Sequence, residues 1–224
     1  MTQSSNKALV LLSGGQDSTT CLYWAIERFG RHNVSAISFD YGQRHRIELQ
    51  CAGRTAKAAG VPHTCLPIDT FAALGGDALT DDSVDVPVDD EDGLPSTFVP
   101  GRNLVFLTFA AAYAWQHDVG NIVIGVAQTD YSGYPDCREQ TIDALQQAIR
   151  LGMESSVTIH SPLMFLSKKE TVELACDLGA LQAMALTHTC YKGQRPPCGE
   201  CAACRLRAKG FSEAGIEDPL LKVR

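Results

Sequence analysis

The sequence contains no apolar run near the roughly 18 to 20 residues that a membrane-spanning helix needs, which argues against a helical integral membrane protein. It also has no charged-then-apolar leader. The opening MTQSSNK is polar and runs directly into a strand-like segment, so no signal peptide is expected and the cytoplasm is the expected compartment. There is no dense Lys/Arg stripe, so no direct nucleic-acid partner is expected. No internal repeat is visible, which sets solenoids and propellers aside. No G-K-[ST] follows the glycine-rich turn near the N-terminus, which excludes a Walker A loop there.

What is present is an ordinary globular composition: 224 residues, 45% apolar and 20% charged. That length supports one sizeable core with a small appendage. The net charge of -7 is local in origin, because residues 69–92 hold nine acidic residues and no Lys or Arg. Outside that stretch, 19 basic residues face 17 acidic ones. Nine cysteines are many for this length, and in a reducing compartment they point to metal ligation, catalysis or burial rather than disulfides.

Apolar runs suited to buried parallel strands alternate with segments of helical period. Strands are predicted over 7–12, 34–39, 63–68, 122–126 and 157–160. Helices are predicted near 18–28, 47–59, 103–117 and 138–151, with one more running from about 167 to Gly179. This order predicts an open, doubly wound, mostly parallel five-stranded sheet of Rossmann-like form. Residues 1–186 are expected to form this α/β domain, with the cysteine-rich 187–224 as a separate C-terminal region. The tail from His188 shows no periodicity. The segment from about 75 to 100, rich in Asp, Gly and Pro, reads as a long loop. Ligands of such sheets bind beyond the carboxyl ends of the strands, so the chemistry is expected in 13–18, 40–48, 69–102, 127–138 and 160–170.

The first of these segments holds Ser13-Gly14-Gly15-Gln16-Asp17-Ser18 between a strand and a helix. Two glycines let successive N–H groups turn toward one anion, two hydroxyls add donors, and the helix points its positive end there. The plainer reading is a tight turn with Asp17 or Ser18 as helix N-cap. The second motif is Cys190-x7-Cys198-x2-Cys201-x2-Cys204, four thiols with the spacing of a closed tetrahedral zinc knuckle; an iron–sulfur cluster also takes four thiolates. The third is the run 129–138, in which Asp130, Asp136 and Arg138 can meet a heterocycle's polar edge or a carboxylate, and Tyr131 and Tyr134 can stack on it. Its plainer reading is a polar turn. Cys137 reads as a small residue in a tight loop. The basic cluster Arg44, His45 and Arg46, with Arg102 and Lys168, supplies cations for phosphates or a carboxylate. Glu170 reads as a helix-start carboxylate, and His63, His117 and His160 as isolated residues without a catalytic role.

The hexapeptide resembles the S-G-G-x-D-S signature of the PP-loop ATP pyrophosphatases. Four longer blocks (FDYGQRH at 39–45, VPGRN at 99–103, TDYSGYPDCR at 129–138 and SPLM at 161–164) resemble one branch of that superfamily, the 7-cyano-7-deazaguanine synthases. The resemblance spans nearly the whole chain, except for the loop near 75–95 and the last dozen residues. It implies an ATP-dependent ligase that converts 7-carboxy-7-deazaguanine and ammonia into 7-cyano-7-deazaguanine, a precursor of queuosine, by activating first the carboxylate and then the amide. It implies ATP contacts along Leu12, Ser13, Gly14, Gly15, Gln16, Asp17, Ser18, Thr19, Thr20, Cys21 and Leu22, with Asp17, Ser18, Arg44 and Lys168 serving the chemistry. It implies substrate contacts from Arg102, Asp130, Tyr131, Tyr134, Asp136 and Arg138. One structural Zn2+ on the four cysteines and Mg2+ accompanying ATP, with Asp17 as its first candidate ligand, complete the expected set. A homodimer is the assembly considered.

Two other readings stay open on the sequence. One is a tRNA-modifying PP-loop enzyme of thiolase or lysidine synthetase type. The other is a nucleotide-binding module whose zinc knuckle docks a partner protein.

Overall fold

The computed structural model describes residues 5–43, 45–80, 84, 94, 96–128 and 134–222. Five strands, β1 (Ala8–Leu11), β2 (Val34–Asp40), β3 (His63–Pro67), β4 (Asn121–Val123) and β5 (Thr158–His160), form one sheet in the order β3-β2-β1-β4-β5. Every pairing is parallel, with Ala8 opposite both Val34 and Asn121. β1 is buried along its whole length, and its pleat divides the core in two. Leu9 and Leu11 join Ile37, Ile122 and the helices α4 (Arg102–Gln116) and α5 (Glu139–Gly152) on one face. Ala8, Val10 and Leu12 join Val34, Val123 and the helices α1 (Gln16–Phe29) and α2 (Ile47–Ala59) on the other. This is the doubly wound architecture expected from the alternation of runs.

The bounds of α2 agree with the expected 47–59, and its Gly60 cap sits in the left-handed region at φ 67°. β4 ends three residues earlier than expected. Beyond Val123 the chain leaves the ladder, because Gly125 runs against α1, where a Cβ would lie 3.1 Å from Asp17 carbon and Ser18 nitrogen. α6 (Lys168–Asp177) opens with a capping box in which Ser167 and Glu170 satisfy each other's backbone N–H, so Glu170 is the helix-start carboxylate it was read as.

Two helices escaped the sequence reading. The short α3 (Thr70–Leu74) follows β3, and α7 (Ala202–Ala214) lies in the tail that showed no period. The inward face of α7 is Cys204, Arg207, Gly210 and Phe211: helically spaced, but with a thiol, a guanidinium and a glycine where apolar residues would have signalled it. Phe211 packs with Val172, Ala175 and Met184, so α7 shares a small core with α6. Of the long acidic loop, the described part is tied across its base by the Ala78 N–H donating to Ser96 O at 2.8 Å. Among the described residues, no helix is long and apolar enough to cross a membrane.

Candidate active site

The strand order reverses beside β1: the chain moves to β2 and β3 on one side, then to β4 and β5 on the other. The carboxyl end of β1 is therefore the topological switch point. A cavity of ≈ 590 Å³ opens there, lined from one side by the residues following β1 and from the other by Ile124 to Ala127.

At one end lies the glycine-rich turn. Gly14 adopts φ 89°, and a Cβ there would sit 2.2 Å from the carbonyl oxygen of Glu48, so only glycine lets the turn lie against the first turn of α2. Gly15 is the N-cap of α1, in extended conformation and without a side-chain cap. Neither Asp17 nor Ser18 caps the helix. The Ser18 hydroxyl accepts from the Ser13 N–H at 3.2 Å and donates to Gly15 O at 3.1 Å, with the two serine oxygens 3.0 Å apart. Asp17 Oδ2 accepts from Lys168 Nζ at 2.7 Å, joining α1 to the start of α6. Asp17 Oδ1 and Gln16 Nε2 are buried without a hydrogen-bond partner, an arrangement suited to a ligand or cation arriving at this end.

Leu12, Ser13, Gly15, Gln16, Asp17 and Ser18 line the cavity, as does Lys168. Thr19, Thr20, Cys21 and Leu22 are fully buried in the body of α1, away from it. Burial, with Asp17 nearby, pushes the Cys21 thiol well above its ordinary value, which leaves it an inert core residue.

The opposite end is aromatic. Arg102, at the first position of α4, lies 5.7 Å over the Tyr41 ring, with its Nη1 3.4 Å from the Tyr41 hydroxyl. Burial works against the Arg102 charge, but Tyr41 and Tyr134 outweigh it, and the guanidinium holds its proton more tightly than usual. Tyr134 shares a 2.7 Å hydrogen bond with Thr97 and is also hydrogen-bonded to Tyr191. Phe106 stacks on Phe39 at 4.8 Å behind this wall.

Asp136 points elsewhere. Its Oδ2 accepts from the Asn103 backbone N–H at 3.1 Å, so it ties down the start of α4, and neither it nor Arg138 lines the cavity. Cys137 does line it, within a short 3-10 turn, and its sulfur receives Asn103 Nδ2 at 3.3 Å. Arg44, Asp130 and Tyr131 lie outside the described residues. Arg46 is exposed and pairs with Asp40 at 3.5 Å, whereas His45 lines the cavity. His160 is packed against Trp24 and Phe29, and its Nε2 is 2.9 Å from Asn121 Oδ1.

Sequence reasoning passed over Glu48, Tyr191, Arg205 and Lys209, all of which line the cavity. Glu48 lies within one of the segments marked for chemistry, and Tyr191 directly follows a cysteine of the knuckle.

The four cysteines converge as their spacing predicts, with all sulfurs within 4.8 Å of one another. The Glu200 and Cys201 N–H groups both point at Cys198 Sγ at 3.4 Å, which suits a thiolate. Zn–S bonds of about 2.3 Å place tetrahedral sulfurs about 3.8 Å apart, and Cys198 and Cys204 are 3.9 Å apart. The set therefore fits a single metal ion. The chain leading into this set is tied to the glycine-rich turn: the His188 N–H, two residues before Cys190, donates to Gly14 O at 2.9 Å.

This sheet, with a phosphate-type turn at the switch point, belongs to the PP-loop class of α/β folds. Solved structures share it at low identity. The NH3-dependent NAD synthetase from Campylobacter jejuni superposes with TM-score 0.51 at 16% identity, over 80% of this chain and 66% of that one. The U34-tRNA thiolase NcsA from Methanococcus maripaludis, solved with its [4Fe-4S] cluster, gives 0.51 at 19% identity over 92% and 64%. Within that class, the model of the family described as "Queuosine biosynthesis protein QueC" matches residues 7–215, and the chain belongs to this family. Among its relatives, the 7-cyano-7-deazaguanine synthase of Chromobacterium violaceum is 66% identical over 221 residues, covering 98% of this chain and 94% of that protein. That of Laribacter hongkongensis is 68% identical over 216 residues, covering 96% and 93%.

Proposed function

We propose that the chain is an ATP-dependent ligase that converts 7-carboxy-7-deazaguanine and ammonia into 7-cyano-7-deazaguanine. One observation carries this reading: a single cavity has a phosphate-type turn with an Asp17–Lys168 pair at one end and an aromatic wall with a buried arginine at the other. The near-complete match to relatives bearing that name supports it.

The chemistry explains the need for two ends. Hydroxide is a poor leaving group, so a carboxylate oxygen first attacks the α-phosphorus of ATP and pyrophosphate departs. Ammonia then displaces AMP to give the amide, with loss of a proton. The amide oxygen attacks the α-phosphorus of a second ATP and a second pyrophosphate departs; loss of AMP, with release of both N–H protons to solvent, then leaves the nitrile. In this reading the N–H groups of the 13–18 turn, the positive end of α1 and Lys168 would hold the phosphates. Arg102 would hold the substrate carboxylate toward the α-phosphorus, and Tyr134 and Tyr191 would cover the ring and exclude water. Mg2+ would draw charge from the departing pyrophosphate, and the unpartnered Asp17 Oδ1 is the oxygen available to it.

Zn2+ on Cys190, Cys198, Cys201 and Cys204 is the metal this reading assigns to the knuckle. The donor set is closed, so its contribution is to fold and position rather than to act as a Lewis acid. Sulfurs serving a cluster must reach several iron atoms, so they stand farther apart than those of one ion.

The deciding experiment incubates the purified chain with ATP, ammonium and the deazapurine acid, and separately with ATP and unmodified tRNA. Mass spectrometry should find the nitrile, with pyrophosphate release dependent on the acid. Pyrophosphate release stimulated by tRNA alone would overturn the reading in favour of base modification.

A further inference from the structure

Among the described residues the cavity is lined by two carboxylates, Asp17 and Glu48, and the proposed chemistry leaves Glu48 without a task. Glu48 lies in the first turn of α2 and lines the cavity between the glycine-rich turn, whose Gly14 abuts its carbonyl, and the aromatic wall. Among the described residues, its carboxylate has neither a hydrogen-bond donor nor an ion-pair partner within 4 Å. Burial pushes its pKa up to about 7, and the positive charge of Arg102 only partly offsets this. A cavity-facing carboxylate with empty lone pairs is a demand for donors.

Three occupants would satisfy that demand: a metal cation, an ammonium ion, or neutral N–H groups of a ligand. Arg102 discriminates among them. Its guanidinium is close enough to act on the Glu48 charge, so a second cation beside it would be repelled, whereas neutral donors would not. The walls make the same choice. Tyr41, Tyr134 and Tyr191 line the same cavity, and Tyr41 and Tyr191 are near enough to feel the Glu48 charge; aromatic walls suit a flat heterocycle better than a small hydrated ion. A guanine-type ring presents a ring N–H and an exocyclic amine side by side, and two parallel N–H donors match the two oxygens of one carboxylate. Asp136, which the sequence offered for this task, has an oxygen occupied by the Asn103 N–H.

We propose that Glu48 is the specificity-determining carboxylate that accepts the two N–H donors of the guanine-like edge of the substrate. The inference rests on the proposed function for the identity of the heterocycle. It adds that the guanine pattern, rather than the carboxylate alone, is what the cavity selects. An analogue without the exocyclic amine leaves one Glu48 oxygen facing the ring without a donor, and such sites reject the deficient ligand strongly.

The test uses the full chain and two acids: 7-carboxy-7-deazaguanine and its 2-desamino analogue. For the unaltered protein, kcat/KM should favour the guanine-type acid by at least about tenfold. In Glu48→Gln, where an amide N–H replaces one acceptor, kcat/KM for the guanine-type acid should fall by about tenfold to a thousandfold. Discrimination between the two acids should shrink to within about threefold, while the KM values for ATP and ammonium stay put. Equal use of both acids by the unaltered protein would overturn the inference without recourse to any variant, so misfolding of Glu48→Gln cannot protect it. A raised ammonium KM with discrimination intact would also overturn it, by assigning Glu48 to the amine nucleophile. Failure of the unaltered protein to form nitrile from either acid would count against the proposed function itself. Nitrile formation with an unchanged Glu48→Gln would count against the role of Glu48 alone.

Discussion

Glu48 is placed for a ligand at the expense of the free protein, and the penalty has a sign and a pH window. Its carboxyl sits at about 7 in the folded chain against an ordinary 4.5, first because of burial, with Arg102 opposing. Below pH 4.5 the group is protonated in both folded and unfolded chains and contributes no difference. Between 4.5 and 7 the unfolded chain releases the proton while the folded chain keeps it, so stability falls as pH rises. Above 7 both states are ionised and the whole penalty stands. At about 1.4 kcal/mol for each factor of ten, the displacement corresponds to about 3 kcal/mol, an upper figure because the side chain is only half-buried. Glu48→Gln keeps the shape and removes the charge. In urea denaturation across pH 4 to 8 without ligand, it should match the unaltered protein at the acid end and exceed it by up to about 3 kcal/mol at pH 8. The other groups, including Arg102, Tyr41 and Tyr191 around the carboxylate, are common to both proteins and cancel in the difference. A difference independent of pH, or a Glu48→Gln protein less stable at pH 8, would refute a raised Glu48.

Four further outcomes can be checked. Asp17→Ala and Ser18→Ala should each abolish ATP-dependent turnover with unchanged circular dichroism, since one loses the Lys168 pair and the other the hydroxyl that knits the turn. Cys201→Ser should lower metal content from near one zinc per chain, read by plasma emission, and cost several kcal/mol in denaturation, because binding energy at such sites is folding energy. Asp218→Ala should destabilise by about 3 to 5 kcal/mol, since it leaves Arg207 charged and buried after removing both arms of a pair at 2.6 and 2.8 Å. Asp136→Ala should raise the KM for the deazapurine acid by about tenfold or more while leaving that for ATP in place, because it strips the acceptor from the start of α4 that carries Arg102.

Most of the fold was legible because the strands and helices of the sheet carry their burial in their composition. The run ALVL is apolar on both faces of the pleat, and α2 ends at a glycine in the left-handed region. The phosphate-type turn was legible for the same local reason: its glycines and hydroxyls are contiguous. The knuckle was legible from spacing, since three of its four cysteines fall within seven residues. What could not be read was anything assembled from afar. Glu48 looks like any carboxylate in a helix's first turn, and its burial depends on Tyr41, Arg102 and Tyr191 arriving from three other elements. Asp136 looked like a ligand-facing acid because the sequence does not reveal that the Asn103 N–H stands opposite it. α7 was hidden because its buried face holds Arg207, whose charge is neutralised only by Asp218 eleven residues on.

The tail is where stability and site meet. Residues 187–191 are held from three sides. From behind, Arg207 of α7 donates to the Thr187 and Thr189 hydroxyls at 2.8 and 2.9 Å. In front, the His188 N–H closes onto Gly14 O, within the glycine-rich turn. At the end, Cys190 is one of the four metal-competent thiols, and Tyr191 beside it enters the aromatic wall. Cys201 is the N-cap of α7 and Cys204 lies in its first turn, so the same four sulfurs also set where α7 begins. From that start, Arg205 and Lys209, four residues apart on one face, reach the cavity. A metal on these thiols therefore fixes one covalent neighbour of the cavity wall, one backbone partner of the glycine-rich turn and the origin of a cation-bearing helix. The buried apolar residues of the tail, Phe211 and Leu220, lie beyond this segment, so a closed metal site on these thiols would supply here the rigidity that apolar packing supplies elsewhere.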